Sequence, residues 1–235
     1  MNAFIDRHPL LARALPSPTH SPLGQCLRRP LKSASPESCV HGQAMLQAPL
    51  SVKHASFSEM MFTARRDGGQ LIHDQLGYLW PQASAHDLAL AQGLGVALWI
   101  GDMLLRVRED AQDGHFLLPQ DLMQRYLVDA AQLTEARHDF ALRRLSEYLA
   151  GQALKILQGS APLGLSAPFW LRYRLRWTML NAGFILQEMQ RNPKAPFIKP
   201  VLSFRDRLSL LKNTLFVSSS TASQGGSCGS GGCST

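Results

Sequence analysis

Gly101 to Pro119 reads GDMLLRVREDAQDGHFLLP. Asp102, Arg106, Glu109 and Asp110 stand here among positions that are mostly apolar. On a helix turning about 100° per residue, these four fall within a sector about 100° wide. Met103, Leu104 and Val107 lie outside it. A narrow charged stripe on an otherwise apolar helix has two readings. It is a salt-bridged surface seam, or it is what remains of a metal–phosphate site.

Upstream, LAQGLGVALWI carries Gly93, Gly95 and, just beyond, Gly101 at mid-helix positions, which suits close packing against other helices. Ser84 is placed to cap this helix, with Asp87 in its first or second turn, so the spacing predicts a helix from about His86 through Asp110. Ser56 or Ser58 caps an earlier one that ends at about Trp80, before Pro81. Pro119 opens a short helix to Tyr126, and Thr134 opens a long amphipathic one through TEARHDFALRRLSEYLAGQALKIL. Pro168 suits a first helical position, with the helix reaching about Gln190, and a basic amphipathic helix is predicted over Ser203 to Phe216. Sustained β-branched alternation is missing, so the fold class is all-α.

The chain has 235 residues, of which 45% are hydrophobic and 17% charged, enough for a substantial core. Residues 1–55 hold seven of the fourteen prolines and only two acids, Asp6 and Glu37. They read as a flexible arm with a short helix near Phe4 to Ala14, and their acid-poor, arginine-bearing character also has the look of a transit peptide. Residues 217–235 form a flexible Ser/Gly tail with Cys228 and Cys233. The four cysteines lie outside the periodic region, which points to a reducing compartment and to neither a disulfide core nor a buried metal. The expected setting is cytoplasmic, peripheral on the inner membrane, with organellar import as the alternative. The net charge is +7. Nine Lys/Arg against two acids fall between Phe169 and Phe216, interleaved with Trp170, Tyr173, Trp177 and Phe184. This suits an anionic membrane surface or a phosphorylated ligand, and no nucleic-acid module accompanies it.

The run LAQGLGVALWI with GDMLLRVRED resembles the second acidic motif of the squalene and phytoene synthases. That motif is a helix of the pattern QLTNILRDVGED, followed by a Gly-containing turn and an aromatic-Leu-Pro element. Gly114 and Leu118-Pro119 match the latter parts, and SEMMFTARRDGGQLIHDQLGYLW resembles the preceding family helix. The similarity covers about Ser56 to Phe216. It implies a single helical domain over 56–216 like the C-terminal part of the isoprenoid synthase fold, between the arm and the tail. It also implies head-to-head coupling of prenyl diphosphates, in which two acidic clusters hold Mg²⁺ and an apolar cavity shields a carbocation. Trp99, Trp170, Tyr173, Trp177 and Phe184 are the candidates to line that cavity.

Against that pattern, Arg106 stands where the family has its leading Asp, Leu105 where it has Arg, Asp102 where it has Asn and Trp99 where it has Gln. Glu109 and Asp110 are kept and are the candidate metal ligands. The family's earlier acidic cluster has no counterpart upstream of Ser56. Asp102, Arg106, Glu109 and Asp110 therefore read as the remnant of a diphosphate–metal face in which a guanidinium replaces part of the metal site. The resemblance implies a prenyltransferase that is incomplete on its own, with Mg²⁺ as cofactor only where the ancestral activity is kept. Its ligand is then a prenyl diphosphate or another lipid-like molecule, and a partner subunit could complete the site. The alternative is a non-catalytic lipid-binding or assembly factor with the same helical shell, like the synthase-like assembly factor of respiratory complex I.

Overall fold

A computed structural model of the chain describes residues 10–11, 54–135, 139–192 and 212. The basic helix expected over 203–216 and the cysteine tail lie outside these residues, apart from Lys212, which is helical.

Ser56 caps α1 (Phe57–Ala64), its hydroxyl accepting from the N–H of Glu59. The chain then passes without a break through a π-helical segment, Arg65–Gly69, into α2 (Gln70–Leu79). At the end of that segment the N–H of Gln70 donates to the carbonyl of Arg65, one residue further back than an α-helix allows. The helix expected between Ser56 and about Trp80 is therefore present, with one π segment inside it.

Ser84 and Asp87 form a reciprocal cap for α3 (Ala85–Gln112), each side chain accepting the other's backbone N–H at 3.1 Å. Gly114, at φ +80°, turns the chain out of the helix. From Leu94 to Leu104 every residue of α3 is buried, so this stretch is enclosed on all sides and central to the fold. It is long and apolar enough to cross a membrane by length and composition, but 67% of its most apolar window is buried inside the protein. It packs against α1, the π segment, α2, α5 (Ala130–Thr134) and α6 (Phe140–Gly159), and against the two helices that follow α6. The short α4 (Gln120–Tyr126) packs on α6, and α7 (Leu163–Ser166) and α8 (Phe169–Arg191) complete the order. No strand occurs among the described residues, and the all-α expectation holds.

Two boundaries differ from the sequence reading. The long helix expected from Thr134 begins only at Phe140, because α5 ends at Thr134 and Asp139 starts a new helix. Pro168 is the residue before α8 and not its first turn. On α8, Leu171, Leu175, Met179, Ala182, Leu186 and Met189 recur at three- and four-residue spacing and form the buried face.

The glycines of α3 fit their expected role, and the geometry says why. A Cβ on Gly95 would land on the carbonyl oxygen of Gly68, and a Cβ on Gly68 would lie 2.6 Å from Cβ of Trp99. The π segment and α3 therefore cross backbone against backbone.

Candidate functional site

The charged stripe sits on this central helix. Asp102 and Asp110 are 1% and 4% exposed, so the stripe is not a solvated seam at these two positions. Arg106 reaches one turn along α3, and its Nε and one terminal nitrogen each lie 3.3 Å from Oδ1 of Asp110. The guanidinium is itself largely enclosed, with an 18% exposed side chain. Glu109 is half-buried beside it. The expected i,i+4 pairing between Arg106 and Asp110 is present.

Asp102 has a different role from any the sequence suggests. Its carboxylate accepts the backbone N–H of Leu10 at 2.7 Å and that of Leu11 at 3.1 Å. Two successive amides on one acceptor is the arrangement that satisfies the orphan donors at a helix N-terminus, and both residues are helical. Leu10 and Leu11 are fully buried, 2% and 0% exposed. Gly101 makes room for them, since a Cβ there would lie 2.6 Å from Cδ1 of Leu10. These two residues of the arm belong to the core; the rest of the helix expected near Phe4 to Ala14 lies outside the described residues.

Beyond Asp110, the backbone N–H of His115 donates to the Asp110 carbonyl at 2.7 Å. Met103, Val107, Asp110 and His115 border a crevice of about 10 Å³, space for one water and not for a hydrocarbon chain. Among the described residues, no group of three His, Cys, Asp or Glu side chains is placed to hold a metal ion.

The five aromatic candidates do not line one cavity. Trp99 is buried against Gly68 and stacks edge-on with His54 at 6.2 Å. Trp170 is 59% exposed. Tyr173 is half-buried and meets the exposed Phe169 ring edge-on at 5.0 Å, and Trp177 is half-buried. Phe184 lines an open groove between α6 and α8. The neighbouring arginines take separate paths. Nε of Arg172 donates to the carbonyl of Ala167, and the buried Nε of Arg174 has no hydrogen-bond partner. Arg176 lies across Gly164.

One residue escaped the sequence reading. His54 is fully buried, and neither ring nitrogen has a hydrogen-bond partner. Burial pushes its pKa down, against the opposing pull of Glu59 and Asp67. No periodic signal marks it, because it precedes the first helix. Asp67 pairs with Arg66 at 2.7 Å, and Asp74 accepts from Gln70.

The helical layer built around α3 has a counterpart among solved structures. A crystal structure of a dehydrosqualene synthase in complex with ligand matches it with a TM-score of 0.65 at 20% identity. The match covers 76% of this chain and 62% of that one, so the chain spans less than two thirds of that protein's length. A sequence model of squalene/phytoene synthases matches residues 68–214, well over half of the chain. The chain belongs to the squalene/phytoene synthase family. No curated protein sequence matches it.

Proposed function

We propose that this chain is a divergent family member that does not by itself couple prenyl diphosphates. The observation that carries this reading is the Arg106–Asp110 pair, at 3.3 Å, on the helix matching the family's second acidic motif. In the family, carboxylates on this face hold Mg²⁺, which neutralises diphosphate and assists its departure from an allylic carbon. Here a guanidinium holds the position of the family's leading aspartate and already compensates Asp110. Asp102 is committed to Leu10 and Leu11. A divalent ion would have to displace these donors, so the residues present do not fit the family's metal. Glu109 and Asp110 are the only carboxylates kept from the motif.

The ligand class we assign is lipid-like, a prenyl diphosphate or a related molecule bound without turnover. A partner subunit carrying the missing acidic cluster would restore coupling. A lipid-binding or assembly role with the same shell is the second reading, favoured by the commitment of Asp102 to the chain's own backbone. The basic 169–216 region, with Leu165 exposed in α7 and Phe169 and Trp170 exposed at the start of α8, supports docking on an anionic membrane surface, peripheral on its cytoplasmic side. The test is incubation with farnesyl diphosphate and Mg²⁺, measuring released pyrophosphate. We expect none above the protein-free background, and turnover would overturn the proposal.

A further inference from the structure

Apart from the charged stripe, residues of α6 and α8 line an open groove of about 340 Å³, within the range of small-molecule sites. Leu157, Met179, Leu180 and Phe184 provide its walls. Its only polar lining residues are Gln158 and Gln187, both exposed at the rim. None of its nine lining residues is charged, and it shares no residue with the Asp102–Asp110 face.

Gly183, in the middle of α8, forms part of this lining. A mid-helix glycine weakens a helix, and at Gly68 and Gly95 close packing explains it. At Gly183 packing does not. The nearest atom to an added Cβ would be Cδ2 of Leu157 at 3.7 Å, an ordinary contact. The absence of a side chain at Gly183 leaves that part of the groove unfilled.

We propose that this groove is a second ligand site, for a neutral amphiphile with one apolar chain and a hydroxyl or carbonyl head. The walls take the chain by burial of apolar surface. The two carboxamides at the rim each offer donors and an acceptor, so they bond an uncharged polar head and have nothing with which to neutralise a phosphate. Burying an unpaired charge there carries a penalty that an alcohol avoids. The site is independent of the proposed loss of coupling activity.

The experiment titrates the full chain with 1-decanol and with decyl phosphate, which differ only in the head, by isothermal calorimetry. Decanol should bind about tenfold tighter or better than decyl phosphate. Gly183→Leu should abolish decanol binding while its melting temperature stays level or rises, because leucine is the better helix former. Gln187→Lys should reverse the preference toward decyl phosphate. Equal or tighter phosphate binding by the unmodified chain, or no decanol binding by folded protein, would overturn the proposal. So would a dimer in sedimentation velocity that disappears in Gly183→Leu, since a second copy would then be the occupant.

Discussion

The backbone of Leu10 is tied to the side chain of Asp102 across 92 positions of sequence, at 2.7 Å. The bond is buried, and Leu11 repeats it on the other carboxylate oxygen. Asp102→Ala would leave two buried N–H groups without their acceptor, at a cost of about 2–4 kcal/mol in urea unfolding. Asp102→Asn should cost less, since it keeps one oxygen acceptor. Hydrogen exchange at the amides of Leu10 and Leu11 should accelerate in both variants. Unchanged exchange would show that something else holds the segment.

The crossing of α3 with the π segment allows no side chain at its centre. Gly95→Ala should destabilise the protein by about 3 kcal/mol or more, because backbone atoms must separate on both sides. Gly114→Ala should also destabilise, but through its positive φ and by about 1 kcal/mol, because its Cβ would meet nothing within 4 Å. Midpoints of chemical denaturation check the order of the two.

Replacing Arg106 by Asp restores the family residue at that position and removes the cation from beside Asp110. If the helix face descends from a metal site, Mg²⁺ should then raise the melting temperature of the Arg106→Asp variant and leave the unmodified chain unaffected. An identical response of the two proteins would discard that ancestry.

Stability should fall on acidification in two separate limbs. His54 is held neutral in the folded state with its pKa below the usual value, so its contribution is complete above the unfolded pKa of about 6.5 and is lost as pH falls below it. His54→Phe should flatten this limb. Asp87 is held below the ordinary carboxylate range by the hydroxyl of Ser166 and then that of Ser84. Its contribution is present above about pH 4 and is lost as pH falls further through the depressed value. Asp87→Asn should remove the second limb and leave the first. Thermal melts across the pH range distinguish them.

Local signals made much of the fold legible. Ser56 and Ser84 mark helix starts by their hydroxyls, Trp80 ends α2 ahead of Pro81, and the all-round apolar character of 94–104 announces a buried helix. The start of α6 was hidden because TEARHD reads as one helical pattern, whereas α5 ends at Thr134 and α6 begins at Phe140. The π segment was hidden too, because RRDGG adds its extra residue without breaking the apolar spacing around it. At the site, periodicity places Asp102, Arg106, Glu109 and Asp110 on one face. It cannot tell which carboxylate a distant amide will claim. Trp170 and Phe184 share one helix and similar chemistry, and only packing separates the exposed ring from the one that faces a groove.

The π segment also sets how mutation can travel through this protein. It holds one more residue than an α-helical path would need, and that surplus aims Gly68 and Gly69 together at α3. Deleting a single residue between Arg65 and Gly69 would close the segment into ordinary α-helix, keep α1 and α2 in nearly the same phase, and give up the paired approach of the two glycines. A deletion inside α1 or α2 has no surplus to draw on and would turn everything beyond it by about 100°. The segment is where this long helix can absorb a change of length.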